Sequence, residues 1–399
     1  MKTSPDYLPN LISLLVVAMM GASILTLLPL WVGALSEQGH FTSQEIGWLA
    51  AADVMGIFIS SASALLWVRR VPWRNVVLGG LLLFFLGNIA SLGLTEFGSL
   101  MSARIIAGIG CGSAYAIALA GLGDHRSPPL AFGLMVTAQV VFGTIGFFAV
   151  PRIMEFAHIN GFFHYLNGWL ALALALCALA FPRSQKQADT ALHRRGLRGL
   201  AHGRSLLVFA TTVVYYCGVS AVWAYLERIG IHLGLSGSQV GDLLGIGFAI
   251  SGLGSLATPW LSTRIGRTAA ISLAMLVQVA TMAWLIGGVG GTAADSAGSY
   301  LLYAGATIVF QFFWSFSLPL LMDQFNRVDD SGRFIVLCAS AFKVGEIIGP
   351  PLAAMLMGEG NVVAVLWLGI ACMAVTLAMA ATTETRPAAR TSSPVGEPC

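Results

Sequence analysis

The sequence predicts an all-α integral membrane protein with twelve transmembrane helices arranged as two six-helix bundles. Three observations carry that expectation: the composition, a series of twelve apolar runs, and one long basic stretch near the middle. Of 399 residues, 57% are hydrophobic and 10% are Asp, Glu, Lys or Arg, against about 25% charge in an ordinary soluble domain. So few charges cannot cover a water-soluble enzyme of this size, whereas hydrocarbon accepts a surface of Leu, Val, Ala and Phe.

A helix crossing the bilayer needs about 20 apolar residues. Runs of that kind fall near 9–35, 43–68, 74–95, 97–122, 129–151 and 161–182, and resume near 205–228, 237–262, 268–289, 298–323, 333–357 and 361–383. The first run, Leu8 to Leu35, is too long for a signal-peptide core and lacks a small-residue cleavage site, so it reads as an uncleaved first helix. With a cytoplasmic N-terminus, 17 of the 21 Lys and Arg residues fall in cytoplasmic segments. The positive-inside rule therefore places both termini in the cytoplasm of a multi-pass inner-membrane protein.

The chain divides into a first bundle over 1–182, a basic linker over 183–204, a second bundle over 205–383 and a disordered tail over 384–399. The linker carries six basic residues against the single acid Asp189. Leu192 to Leu206 reads either as an amphipathic helix on the inner leaflet or as a flexible connection. The two halves are related by an offset of 194: Ile46-Gly47 falls on Val240-Gly241, and Arg70-Val71-Pro72 on Arg264-Ile265-Gly266. Matches at both ends of equivalent spans point to a duplicated six-helix unit with a binding site between the copies.

The segment Pro259-Trp260-Leu261-Ser262-Thr263-Arg264-Ile265-Gly266-Arg267 resembles the G-x-L-x-D-R-x-G-R loop of the major facilitator superfamily, with Thr263 in the Asp position. Its first-half copy, Arg69 to Arg74, lacks the acid and the glycine. Arg104 to Gly110 is similar to the family's R-x-x-x-G-x-G motif. The resemblance implies the fold of that superfamily, a gate loop using Arg70, Arg74, Arg264, Gly266 and Arg267, and an association of Arg104 with proton coupling. The antiporter-type G-P motif is reduced to Gly143-Thr144-Ile145-Gly146 in span five, while span eleven has Gly345 to Pro351. Gly108, Gly110, Gly345, Gly349 and Pro350 are expected at close helix contacts and a kink.

Chemistry is expected from charges inside the apolar runs, because each is costly in hydrocarbon and must face protein or water. Asp53 lies about 15 Å into span two at 1.5 Å per residue, near the midplane. Arg104 is its candidate partner, and Lys343 and Glu346 share one face of span eleven by their i, i+3 spacing. Each acid reads either as a proton carrier or as half of a static ion pair. Asp242 and Glu227 lie nearer the outer surface and read as gate or loop contacts. Gln139, Tyr215, Tyr216, Trp223, Gln311 and Trp314 are cavity candidates, those of spans seven and ten favoured because the resembled fold turns spans one, four, seven and ten inward.

No zinc, phosphate-loop or nucleophile spacing is present, and five of the six cysteines lie inside apolar runs as packing residues. The expectation is thus a monomeric transporter without cofactor or metal, not an enzyme, whose partners are a small-molecule substrate, protons and the lipid bilayer, and not nucleic acid. Export of a small organic metabolite, drug or siderophore-like compound by proton antiport is the leading expectation. Uptake of an organic anion by proton symport, and a transporter-like sensor, are the alternatives.

Overall fold

The computed structural model describes residues 4–183, 203–290, 296–328, 338–358 and 360–384. These contain thirteen α-helices: α1 (Leu8–Thr26), α2 (Leu28–Gln38), α3 (Ser43–Trp67), α4 (Trp73–Ser91), α5 (Phe97–Gly123), α6 (Pro128–Ala157), α7 (Asn160–Leu179), α8 (Gly203–His232), α9 (Gly237–Ile265), α10 (Arg267–Gly290), α11 (Ser296–Val328), α12 (Cys338–Met357) and α13 (Val362–Glu384). Among the described residues eleven helices are long and apolar enough to cross a membrane. The twelfth crossing is α12, whose Lys343, Glu346 and paired prolines make it more polar. Leu82, Leu256, Leu301 and Trp367 point outward with 48%, 73%, 68% and 57% of their surface exposed, a distribution that suits lipid.

The first span differs from its expected single helix. Pro29 interrupts it, leaving α1 and α2 joined at Leu27. Conversely, α6 runs six residues past Pro151, where the sequence suggested an end, because neighbouring helices in a bundle tolerate the lost backbone bond. Spans three and six stop earlier than expected, at Ser91 and Leu179, and spans seven and ten continue to His232 and Val328. The proposed linker lies outside the described residues from 184 to 202, as do most of Leu192 to Leu206 and the tail from 385 onward.

The repeat extends to helix capping. Thr42 accepts from the backbone of Glu45, whose carboxylate returns to the Thr42 N–H at 2.8 Å. Ser236 and Gln239 make the same reciprocal box at the start of α9, again 194 positions on. Both copies thus use one device to start the helix that bounds the seam between them.

Within the first half α3 and α4 pack on α5; in the second, α9 and α10 pack on α11 and α8 packs on α12 and α13. Across the halves α3 meets α12, α6 meets α9, and α2 meets α8. These contacts gather at the membrane face opposite the chain's ends, here the far face. Gly47 lies against Pro350, Pro351 and Ala354, and Gly241 against Phe147 and Pro151. Nearer the terminal face the approach loosens, with a Cβ built on Gly252 only within 4.0 Å of Val140.

Candidate functional site

Asp53 and Arg104 form a sealed ion pair inside the first half. Arg104 donates through Nη2 to Asp53 Oδ1 at 2.6 Å and through Nε to Oδ2 at 3.0 Å, a bidentate arrangement matched to a carboxylate. Its other nitrogen, Nη1, donates to Asn88 Oδ1 at 2.7 Å, and Asn88 in turn donates to Asn167 Oδ1 at 2.9 Å. The guanidinium lies 5.3 Å from the Phe163 ring, 5.9 Å from Trp31 and 6.0 Å from Phe84. With Arg104 0% and Asp53 1% exposed, five helices enclose the pair. Gly108 makes that closure possible, since any side chain there would collide with the Asp53 backbone, and Gly110 gives α4 the same approach at Gly80.

The second pair is placed differently. Lys343 donates to Glu346 Oε2 at 2.7 Å within α12, with side chains 21% and 8% exposed, so it keeps a route to water that Asp53 lacks. Tyr115 and Cys111 of α5 lie within electrostatic reach of Lys343 from the other half. Pro350 and Pro351 supply no N–H to the carbonyls of Glu346 and Ile347, which weakens α12 just beyond the pair. Gly345 and Gly349 bring α12 against Tyr216, Cys217 and Ser220 of α8.

Aromatic rings line the seam beside this pair. Phe342 stacks on Tyr216 with centroids 4.3 Å apart. Trp223 stacks on Trp314 at 5.8 Å and meets Phe147 of the first half edge-on at 5.8 Å. Gln139 reaches the Ala18 carbonyl at 3.4 Å on the first-half side. Two cavity candidates are placed elsewhere: Tyr215 bonds Gln278 within the second half, and Gln311 is buried between α9 and α11 with Nε2 at 3.5 Å from the Leu244 carbonyl. Tyr215 adjoins Tyr216 in sequence and Gln311 precedes Trp314 by three residues, which is why residue type alone did not separate them.

Trp223 also completes the broken first span. Pro29 has no N–H for the Leu25 carbonyl four residues back, and the Trp223 indole donates to that carbonyl across the seam at 2.9 Å. Trp223→Phe keeps much of the stacking but removes the cross-seam donor and leaves that carbonyl only the poorly placed Leu27 N–H, a loss of about 0.5–1.5 kcal/mol. The far face should open more often, read as a longer distance between spin labels at Gln38 and His232; an unchanged distance distribution would count against the latch.

At the far face Arg152 of α6 bridges Asp242 of α9 with contacts of 2.8 and 2.9 Å. At the terminal face the expected gate-loop residues are distributed unequally. Arg267 pairs with Asp323 at 2.9 Å, Arg264 lies over its own neighbour Trp260 at 4.1 Å, and Gly266 turns between α9 and α10 at φ 82°, where a side chain would be strained. In the first half Arg69 rather than Arg70 makes the ion pair, to Asp124, while exposed Arg70 points away and Arg74 donates to the Cys177 and Ala178 carbonyls. Sequence reasoning missed Asp124 and Asp323 because Asp124 follows the last residue of α5 and Asp323 falls at the expected end of span ten, so both look like ordinary helix ends. Asn88, Asn167 and Trp31 were missed too; the available signal was two asparagines inside otherwise apolar spans.

Two halves of six crossings, closed at one face around a polar seam, form the architecture found in solved secondary transporters. The structure matches a D-xylose-proton symporter with a TM-score of 0.72 at 14% identity, covering 94% of this chain and 97% of that one. It matches the nucleoside transporter NupG with a TM-score of 0.78 at 9% identity, covering 94% and 98%. Residues 208–398 match the Major Facilitator Superfamily model. That match covers the second half of the chain, and the fold over both halves is similar to that of the superfamily's solved members. Superfamily relatives in Salmonella typhi and Salmonella typhimurium, both named as the uncharacterised MFS-type transporter YcaD, are 22% identical over 362 residues, covering 87% of each chain. The protein is a membrane transporter and not an enzyme.

Proposed function

We propose that the protein is a proton-coupled exporter of the bacterial inner membrane, exchanging protons for a small amphiphilic metabolite, drug or siderophore-like compound. The observation that carries this reading is the partly hydrated Lys343–Glu346 pair on a proline-weakened helix, at the seam between the halves and beside a cluster of aromatic rings. An ionised Glu346 holds Lys343; a proton on Glu346 removes that attraction and changes the charge offered to a substrate. Proton and substrate then compete through one pair, the thermodynamic requirement for exchange. Trp223, Trp314, Tyr216 and Phe342 suit the apolar body of the cargo.

The arginines at the terminal face favour a cytoplasmic location for both termini, which makes the far face the outer one and the conformation inward-facing. The sealed Asp53–Arg104 pair is assigned here to holding the first half together. A proton symporter among the structures of the same fold supports proton use without bearing on cargo.

Uptake of an organic anion is the second reading, favoured by the greater exposure of Lys343 than of Glu346. Metabolite profiling of cells and medium with the protein overexpressed, beside an empty vector and Glu346→Gln, decides between them. Enrichment of a compound outside, lost in the variant, is expected. Depletion from the medium would replace export by symport, and identical profiles would overturn transport in favour of ligand sensing.

A further inference from the structure

A polar cavity of about 330 Å³ lies at the outer end of the seam, away from Lys343. It is lined by Gly33 and Glu37 of α2, Glu155 of α6, His158 just after it, Glu227 of α8 and Ser236 ahead of α9. Glu227 is 4% exposed, and its Oε2 is buried without a hydrogen-bond partner. Gly33 admits it: a Cβ at that position would overlap the carboxylate. Since α2 belongs to the first half and α8 to the second, this carboxyl is clasped between the two bodies that must part when the outer gate opens.

Among the described residues Arg228 alone acts on Glu227 as an opposite charge, and no group makes a hydrogen bond to the buried Oε2. From α2 comes Glu37, and from α6 come Glu155 and the nearby His158. Arg152 of α6 is already held by Asp242 of α9. Tyr303 of α11 spends its hydroxyl on the Leu226 carbonyl at 2.9 Å. Arg228 follows Glu227 on the same helix and is turned about 100° from it. A carboxylate enclosed like this, beside two further acids, is strongly disfavoured, whereas the neutral acid is not.

We propose that Glu227 is a proton-binding site of the outer gate, protonated when α2 closes on α8 and ionised when the seam parts and water reaches it. The inference deepens the proton-coupled reading above and rests on it only for the use made of the proton. A proton arriving from outside on Glu227 favours closure of the outer gate, and reopening to the outside requires its release to water. The closed state holds one more proton than the open state, so acid favours closure, with a limiting slope of about tenfold per pH unit.

The test is the distance distribution across the outer seam in the full-length protein in lipid nanodiscs, without substrate, with Cys399→Ser and spin labels at Gln38 and His232. Between pH 8 and pH 5 the closed population of the parent should rise. Glu227→Gln should stay closed throughout with the slope lost, and Glu227→Asp should retain a slope. Replacing Glu37, Glu155 or His158 should leave the slope in place. A parent without pH dependence, an unchanged slope in Glu227→Gln, or loss of the slope at one of the neighbours instead would overturn the assignment. Should Glu227→Gln not fold, Gly33→Ala is read in its place: crowding the carboxyl should move the midpoint toward lower pH, and an unmoved midpoint counts against the proposal. Glu346→Gln should lose coupled transport yet keep the gate's slope, so failure of the transport reading and failure of this one give different results.

Discussion

Glu346→Gln is expected to reduce substrate-driven proton movement in proteoliposomes by about a hundredfold, the lower range for removing a proton-transferring side chain. Substrate counterflow without a proton gradient should persist more slowly, because Tyr216, Trp223 and Trp314 still form the aromatic surface beside the pair. The variant should fold, since Lys343 is 21% exposed and water can take over part of the lost carboxylate's role. The cargo found by metabolite profiling and a pH-sensitive dye inside the vesicles provide both readings. Intact proton movement in this variant would remove Glu346 from coupling.

Asp53→Asn should behave in the opposite way, failing in stability before it fails in transport. It leaves Arg104 charged and enclosed, and breaking one side of a buried pair costs about 3–5 kcal/mol. Asn88 and Ser91 remain as acceptors near Arg104 but supply no negative charge. Replacing both members, Asp53→Asn with Arg104→Gln, removes the stranded charge and should recover most of the thermal stability of the purified protein, together with transport. A double variant that is stable and inactive would instead make this pair part of the coupling machinery. The contrast with Glu346 follows from access to water, not from residue type.

That contrast also marks how far the sequence could be read. Asp53, Arg104, Lys343 and Glu346 stand out because ionisable groups in apolar runs are costly and few. Their i, i+3 spacing is enough to join Lys343 to Glu346, because one helix determines that geometry. The joining of Asp53 to Arg104 needs two helices at a particular rotation, and its sealing needs Trp31, Phe84, Asn88 and Phe163 from three more. The gate shows the same limit: Arg69 and Arg70 are adjacent in sequence, and only the position of Asp124 selects Arg69. Trp223 reads as one aromatic among many until the break at Pro29 exposes the carbonyl it serves.

Composition, the apolar runs and the repeated pairs Ile46-Gly47 and Val240-Gly241 by themselves determined a helical membrane protein built from two related halves, because hydrocarbon forces each segment to satisfy its own backbone. Which charge is sealed, which is wet, and which lies between moving bodies was decided by tertiary structure alone. Solvation depends on atoms brought from distant parts of the chain, and the energy of a charge depends on that solvation more than on its place in the sequence.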